Sequence, residues 1–485
     1  MSRGKLTTIF VLIAVICLGL SALLVPERDA RAVDAEPLLP FPPSEVTEVV
    51  FAGGETETQR LVRVSGDRWE LRIGESPAVR WPVASDRARA FLRILERLRG
   101  VPTGEERGDS AASLTVIGGS GRQVTLGLPR GSLGGRAMVT LQDGAGVRAY
   151  VTTDELPRLL GARGFVGWMD ARAFAGVEGR VTRVEIASGG GAMVLGSVGG
   201  GWRIESPFEA AAELSLVEEL VMGLRMLPVA EGRPERSEPP TDATVISVTT
   251  ESRGAAEDGS VSSRVLEHRC VTLGPVSGGG RVPVLLSARV ADGGGLAEMV
   301  SDALGPITAS VDATRLTELV RQPAFYIARR TLRAQPSDVR ALDVVLPSGA
   351  VVRVERDSEG WRRDGEMVNG AEGAAIESLV ELITVGVATV AAWSDSGEVA
   401  GSQPLATITC GGLGGTTLET VRFGVAGLPA PAEDKRLHAL LTVGGVLRYY
   451  PPEAGVGRAA TWITGLTPAD SGAVGPVDAA EPTGG

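Results

Sequence analysis

Gly201–Val229, GWRIESPFEAAAELSLVEELVMGLRMLPV, places a tryptophan beside a strand-like run and then opens an amphipathic helix. Val217, Leu220, Val221 and Leu224 stand at i, i+3, i+4 and i+7, the spacing of one helical face. The chain writes this phrase twice more. Phe91, Ile94, Leu95 and Leu98 follow Trp69, and Ile376, Leu379, Val380 and Ile383 follow Trp361, at the same spacing. Upstream of each tryptophan an alternating segment begins at Val46, Val181 or Val339, and the distances to Trp69, Trp202 and Trp361 are 23, 21 and 22 residues. Alternation at period two is the pattern of a half-buried strand.

The pattern predicts an α+β fold: tandem repeated units of small antiparallel sheets, each with a packed helix. A large amphipathic ring suits a half-exposed corner, so Trp69, Trp202 and Trp361 are expected to close the edges of their own small cores. A second half of the unit also recurs. Val151, Leu156, Leu159, Leu160 and Phe165 find Val311, Leu316, Leu319, Val320 and Phe325 at a constant offset of 160. Gly-punctuated β-type runs precede each set, and a third series, LATITCG, VRFGVAG and HALLTVG, follows Trp361 and stops near Trp462. The expected units are 46–180, 181–338 and a truncated 339–467, with a disordered tail at 468–485 rich in Gly, Ala, Pro and Asp.

Leu6–Val25 is a run of 20 residues without a charge, long enough as a helix to cross about 30 Å of hydrocarbon. Arg3 and Lys5 precede it, which keeps residues 1–5 in the cytoplasm and exports the rest. The expectation is a transmembrane anchor at 6–25, a stiff Pro-rich spacer at 26–45, and a single-pass bacterial inner-membrane protein whose bulk is periplasmic. A cleaved signal peptide ending at Ala30-Arg31-Ala32 is the competing reading.

The 485 residues carry 48 Lys+Arg against 59 Asp+Glu, and a net charge of -11 argues against a nucleic-acid binder. Of the three cysteines, Cys17 lies in the apolar run, while Cys270 and Cys410 are read as isolated buried thiols, with a disulfide between them the alternative. His268 and His438 are the only histidines. His268 shares a strand face with Cys270 and is read as a surface residue beside a core thiol; His438 is read as pointing outward from its strand. Motifs of zinc proteases, serine hydrolases and P-loop enzymes are missing, so no catalytic, cofactor-binding or metal residues are assigned.

The order of valine-rich strand, turn, strand, Gly-Trp, short Pro-containing link and Leu-rich helix resembles the DUF4340 family of bacterial envelope proteins. GWRIESPFEAAAELSLVEELVMGLRML carries the likeness, with LPRLL, GFVGWMDARAF and RVTRVEI supporting it. Arg362-Arg363-Asp364 departs from it in the third copy. The resemblance implies an exported, membrane-tethered module associated with ABC-type transport and gliding-motility-like gene sets, and it implies no catalytic residues. The functional expectation is a non-enzymatic scaffold or adaptor whose partners are the membrane and ABC-type transporter components, without cofactors. A periplasmic ligand-binding module for a solute or polymer is the alternative, and a carboxylate-dependent hydrolase the third.

Overall fold

A computed structural model of the chain describes residues 35–466 apart from 54–55, 75–78, 104–109, 130, 145, 162, 178, 190, 234–236, 256–260, 291–303, 396–401, 428–436 and 452–454. The chain forms two compact units. Unit 1 comprises Met1–Ala171, Ala230–Arg236 and Ala303–Thr308; unit 2 comprises Arg172–Val229, Ser237–Asp302 and Ala309–Gly485.

The first part of the chain runs β1 (Glu36–Pro37), β2 (Val46–Gly53), β3 (Thr56–Ser65), β4 (Arg68–Ile73), β5 (Val79–Pro82), α1 (Ser85–Arg97), β6 (Arg99–Pro102), β7 (Ala112–Gly118), β8 (Gln123–Leu128), β9 (Arg136–Asp143), β10 (Gly146–Thr153) and α2 (Glu155–Leu160). The strands pair antiparallel in the order β5-β4-β3-β2-β7-β8-β9-β10-β6-β1. Phe91 and Leu95 of α1 are buried with Val49, Leu61, Leu71, Leu114, Val116 and Leu126 from one face of this sheet.

The next part runs β11 (Arg180–Ser188), β12 (Gly191–Val198), β13 (Gly201–Ser206), β14 (Ala210–Ala211), α3 (Leu214–Arg225), β15 (Val229–Arg233), β16 (Val245–Ala255), β17 (Val261–Thr272), β18 (Arg281–Val290), β19 (Leu304–Asp312) and α4 (Ala313–Leu319). Here the order is β14-β13-β12-β11-β16-β17-β18, and β15 pairs with β19.

The last part runs β20 (Ala341–Val345), β21 (Val351–Arg356), β22 (Trp361–Arg363), β23 (Glu366–Met367), α5 (Gly370–Thr384), β24 (Val390–Trp393), β25 (Gln403–Gly411), β26 (Thr417–Gly427), β27 (Leu437–Val443), β28 (Val446–Tyr450) and α6 (Val456–Gly465). Its strands pair β23-β22-β21-β20-β25-β26-β27-β28-β24. In all three parts the first strand of the series pairs with the one that follows the link after the helix, at β2–β7, β11–β16 and β20–β25.

These pairings correct the expected α+β class. The protein is mostly antiparallel β, with its strands in two large hydrogen-bonded sets of 19 and nine. The physical reason lies after each helix, where the alternating runs extend the existing sheet through its first strand. A helix such as α1, Ser85–Arg97, then covers only part of a broad surface.

The expected single-pass membrane placement is also corrected: among the described residues no helix is long and apolar enough to cross a membrane. The span expected at residues 6–25, and the tail at 468–485, lie outside the described residues. Of the expected spacer, three residues of the 36–44 stretch join the first core. Leu38, Leu39 and Phe41 are buried, the Leu38 amide donates to the Leu98 carbonyl, and β1 pairs with β6. The prolines there shape an edge strand and a 3-10 turn at Pro43–Glu45, both of which tolerate a missing amide proton.

The last part, expected to be truncated, carries nine strands and α6 among the described residues. It shares unit 2 with the part before it. The Leu332 amide donates to Ile383 O, the Ala388 amide to Arg329 O, and Arg333 Nη2 to Ala212 O, while Phe208 and Trp393 stack at 4.4 Å with their planes 7° apart.

Candidate functional site

Trp69, Trp202 and Trp361 occupy one topological position, the start of the third strand of each series. They face Arg63, Ser197 and Arg356 on the second strand. All three are buried, at 4%, 9% and 3% exposure, which leaves no ring face open to stack on a ligand. Arg63 and Arg356 lie over their indoles at 5.9 and 5.5 Å from the ring centroid, a cation–π arrangement that the serine beside Trp202 does not offer. The Trp361 Nε1–H donates to Glu377 Oε1 at 3.0 Å.

The two histidines sit where the sequence reading did not place them. His268 lies on β17 between Val248 and Ala288, with Cys270 between Ile246 and Leu286 on the same face. Both are buried. The parity that puts Cys270 in the core puts His268 there too. His438, expected to point outward, is buried opposite Ala426. Its face of β27 carries a second small core of Ala426, Leu440, Leu447 and Tyr449. Cys270 and Cys410 are free and buried, and burial pushes both thiols up to about 12, so neither is a thiolate at neutral pH.

Burial lowers the His268 pKa from the ordinary 6.5 to about 4. The unfolded chain therefore binds more protons than the folded one between these values. Stability is fully present above about pH 6.5 and is lost as pH falls from there toward about 4. The loss expected for unit 2 is on the order of 3 kcal/mol at the acid end of that window. Denaturant melts at pH 7 and pH 4.5 should show it, and His268→Leu should remove most of the difference. An equal pH dependence in the variant would assign the effect to other groups.

The outer faces of the sheets carry arginine–carboxylate pairs across neighbouring strands. Glu70, itself buried, accepts from Arg80 through both oxygens, at 2.6 and 2.9 Å, and from Arg72 at 3.0 Å. Glu267 pairs with Arg289 on the next strand at 2.6 Å, and Arg353 with Asp343 on the next strand at 3.6 Å. A carboxylate held bidentately by a guanidinium has its acceptor sites occupied, which suits cross-strand cohesion rather than proton transfer. Among the described residues no group of three or more His, Cys, Asp or Glu side chains is placed to hold a metal ion.

A different surface distinguishes α3. Its core side buries Val217, Leu220 and Leu224, while Leu214, Met222 and Met226 are 39%, 58% and 60% exposed. Glu218, one turn from Leu214 and one from Met222, is exposed between them. The helix at the same place in the first series, α1, shows solvent Arg87, Arg89, Arg93, Glu96 and Arg97 instead. Single exposed apolar residues are ordinary; a row of them at helical spacing marks a surface suited to contact. Methionine is flexible and polarisable, and is over-used where one surface must fit varied partners.

No family model and no curated protein matches the chain, so the likeness to DUF4340 rests on the quoted motifs alone. The solved endo-1,5-alpha-L-arabinanase from Thermotoga petrophila RKU-1 aligns over 80% of this chain and 96% of its own, at 9% identity and a TM-score of 0.10. A similarity at that level carries no argument about fold or activity.

Proposed function

We propose that the protein is a non-enzymatic scaffold that binds partner proteins through the outer face of α3. The observation that supports this reading is the row Leu214, Met222 and Met226, exposed where the corresponding helix α1 is solvated by arginines. The partner contributes an apolar patch that covers the methionines and a cation that meets Glu218. Components of ABC-type transport, which the family resemblance implies, are the first partners to test.

The experiment compares wild type with Met222→Glu/Met226→Glu. Both side chains are exposed, so the substitutions should leave the melting temperature within about 2 °C. Crosslinking in the native host followed by mass spectrometry should recover a defined set of proteins with wild type. Recovery of that set by the double variant should fall about tenfold or more. Equal recovery by both chains would overturn the reading, as would repeated recovery of nothing specific.

A further inference from the structure

A broad, largely open groove with about 630 Å³ of accessible space lies between the first turns of α5 and the length of α6. This volume is within the range of small-molecule sites. Its floor is made of Ala371, Ala374 and Ala375, and the absence of longer side chains there is what leaves the space. Trp462 and Leu466, at 9% and 7% exposure, contribute a small apolar margin along one side. Nothing in the packing of the third sheet requires this space, because Trp462 and Ile463 already bury against its core.

The charges at the cavity are unbalanced in one direction. Glu372 is its carboxylate, and Glu372 Oε1 accepts both from Arg363 Nη1 at 2.9 Å and from Trp462 Nε1 at 3.2 Å. That pair neutralises itself. Arg458, exposed at the opposite rim, makes no ion pair among the described residues. Thr461, which also lines the cleft, donates its hydroxyl proton to Gly457 O at 2.8 Å. Among the described residues the cleft thus carries one positive charge without an ion-pair partner, in a chain whose net charge is -11.

We propose that this cleft binds a small organic acid with an apolar body, its carboxylate on Arg458 and its body over the alanine floor against Trp462. A guanidinium is matched to a carboxylate by its planar fork of donors, and an exposed arginine loses little hydration in meeting one. Apolar contact with the alanine floor, together with the small part of the Trp462 indole left uncovered, supplies the remaining affinity. The site is independent of the α3 surface.

Octanoate is the probe, with 1-octanol and octylammonium as controls of the same chain length, titrated by calorimetry against the whole protein. Octanoate should bind saturably, and each control at least about tenfold more weakly. Arg458→Ala should weaken octanoate about tenfold or more, while Arg458→Lys keeps part of the affinity. Ala374→Trp, at an exposed position on α5, fills the cleft and should abolish binding with an unchanged melting curve. Met222→Glu/Met226→Glu should bind octanoate as wild type does. Absence of saturable binding, equal affinity for 1-octanol, or a wild-type affinity in Arg458→Ala would each overturn the assignment.

Discussion

Phe165→Ala is expected to lower the stability of unit 1 by about 3–5 kcal/mol, because the ring it removes is the hub of an aromatic cluster. Phe165 is fully buried and meets Phe51, Phe91 and Trp168 at centroid distances of 5.9, 6.0 and 4.9 Å. These rings come from β2, from α1 and from the 3-10 turn Gly164–Trp168, so one side chain joins sheet, helix and closing turn. The turn has little freedom to collapse into the void. Gln59 Nε2 donates to Arg163 O, and Val166 N donates to Gln59 Oε1, both at 3.2 Å. Gly164, at φ +57°, sits so close to Phe51 that a Cβ there would lie 2.7 Å from the ring. A pinned turn cannot relax, and the cavity term is then felt in full. Denaturant unfolding should show one transition moved to lower denaturant while that of unit 2 stays in place. A shift worth less than about 1 kcal/mol would show that the cluster repacks.

Trp361→Ala should produce a loss of similar size, about 3–5 kcal/mol, in the transition of unit 2. The ring is buried at the start of β22 under Arg356, and its N–H donates to Glu377, which also pairs with Arg356 at 2.7 Å. The indole, the guanidinium and the carboxylate support one another, so truncation removes apolar burial and a charge-assisted hydrogen bond together. Trp361→Phe separates the two contributions. It keeps most of the ring and leaves Glu377 paired to Arg356, and should cost about 1–2 kcal/mol. If the alanine and phenylalanine variants unfold alike, the hydrogen bond rather than the packing carries the position.

Much of this core was legible in the sequence. The apolar stripes at Phe91, Val217 and Ile376 lie on the buried sides of α1, α3 and α5, since helical spacing fixes a face without reference to anything distant. What a strand pattern does not specify is its neighbour. LTVIGG and TVISVTT announce strands, but only pairing with β2 and β11 makes them extensions of existing sheets and the protein mostly β. Faces were misjudged for the same reason. A second, small core covers the side of β27 that carries His438, and alternation alone assigns one side to solvent. The offset of 160 aligned Phe165 with Phe325, yet Phe325 is 39% exposed and Tyr326 takes the buried place, its hydroxyl donating to Leu319 O at 3.2 Å. The exposed methionines of α3 were within the opening stretch all along. Helical spacing counts them as part of an apolar helix, and only the packed structure shows which apolar residues are left uncovered.

The pairing of the last strand of each series with the one directly after the helix, at β10–β6, β19–β15 and β28–β24, has a kinetic consequence. During synthesis the segment that ends in α1 emerges with β2 still lacking β7, and β6 waits for β10 until residue 153 has been made. At translation rates of about 5–20 residues per second, these edges stay unpaired for seconds, long enough to attract another chain. The distant pairings also place the closing step late and make it slow. Nascent chains arrested before β10 should therefore be the species that chaperones hold and proteases cut, whereas chains arrested beyond Thr308, where all segments of unit 1 have been made, should have unit 1 resist both.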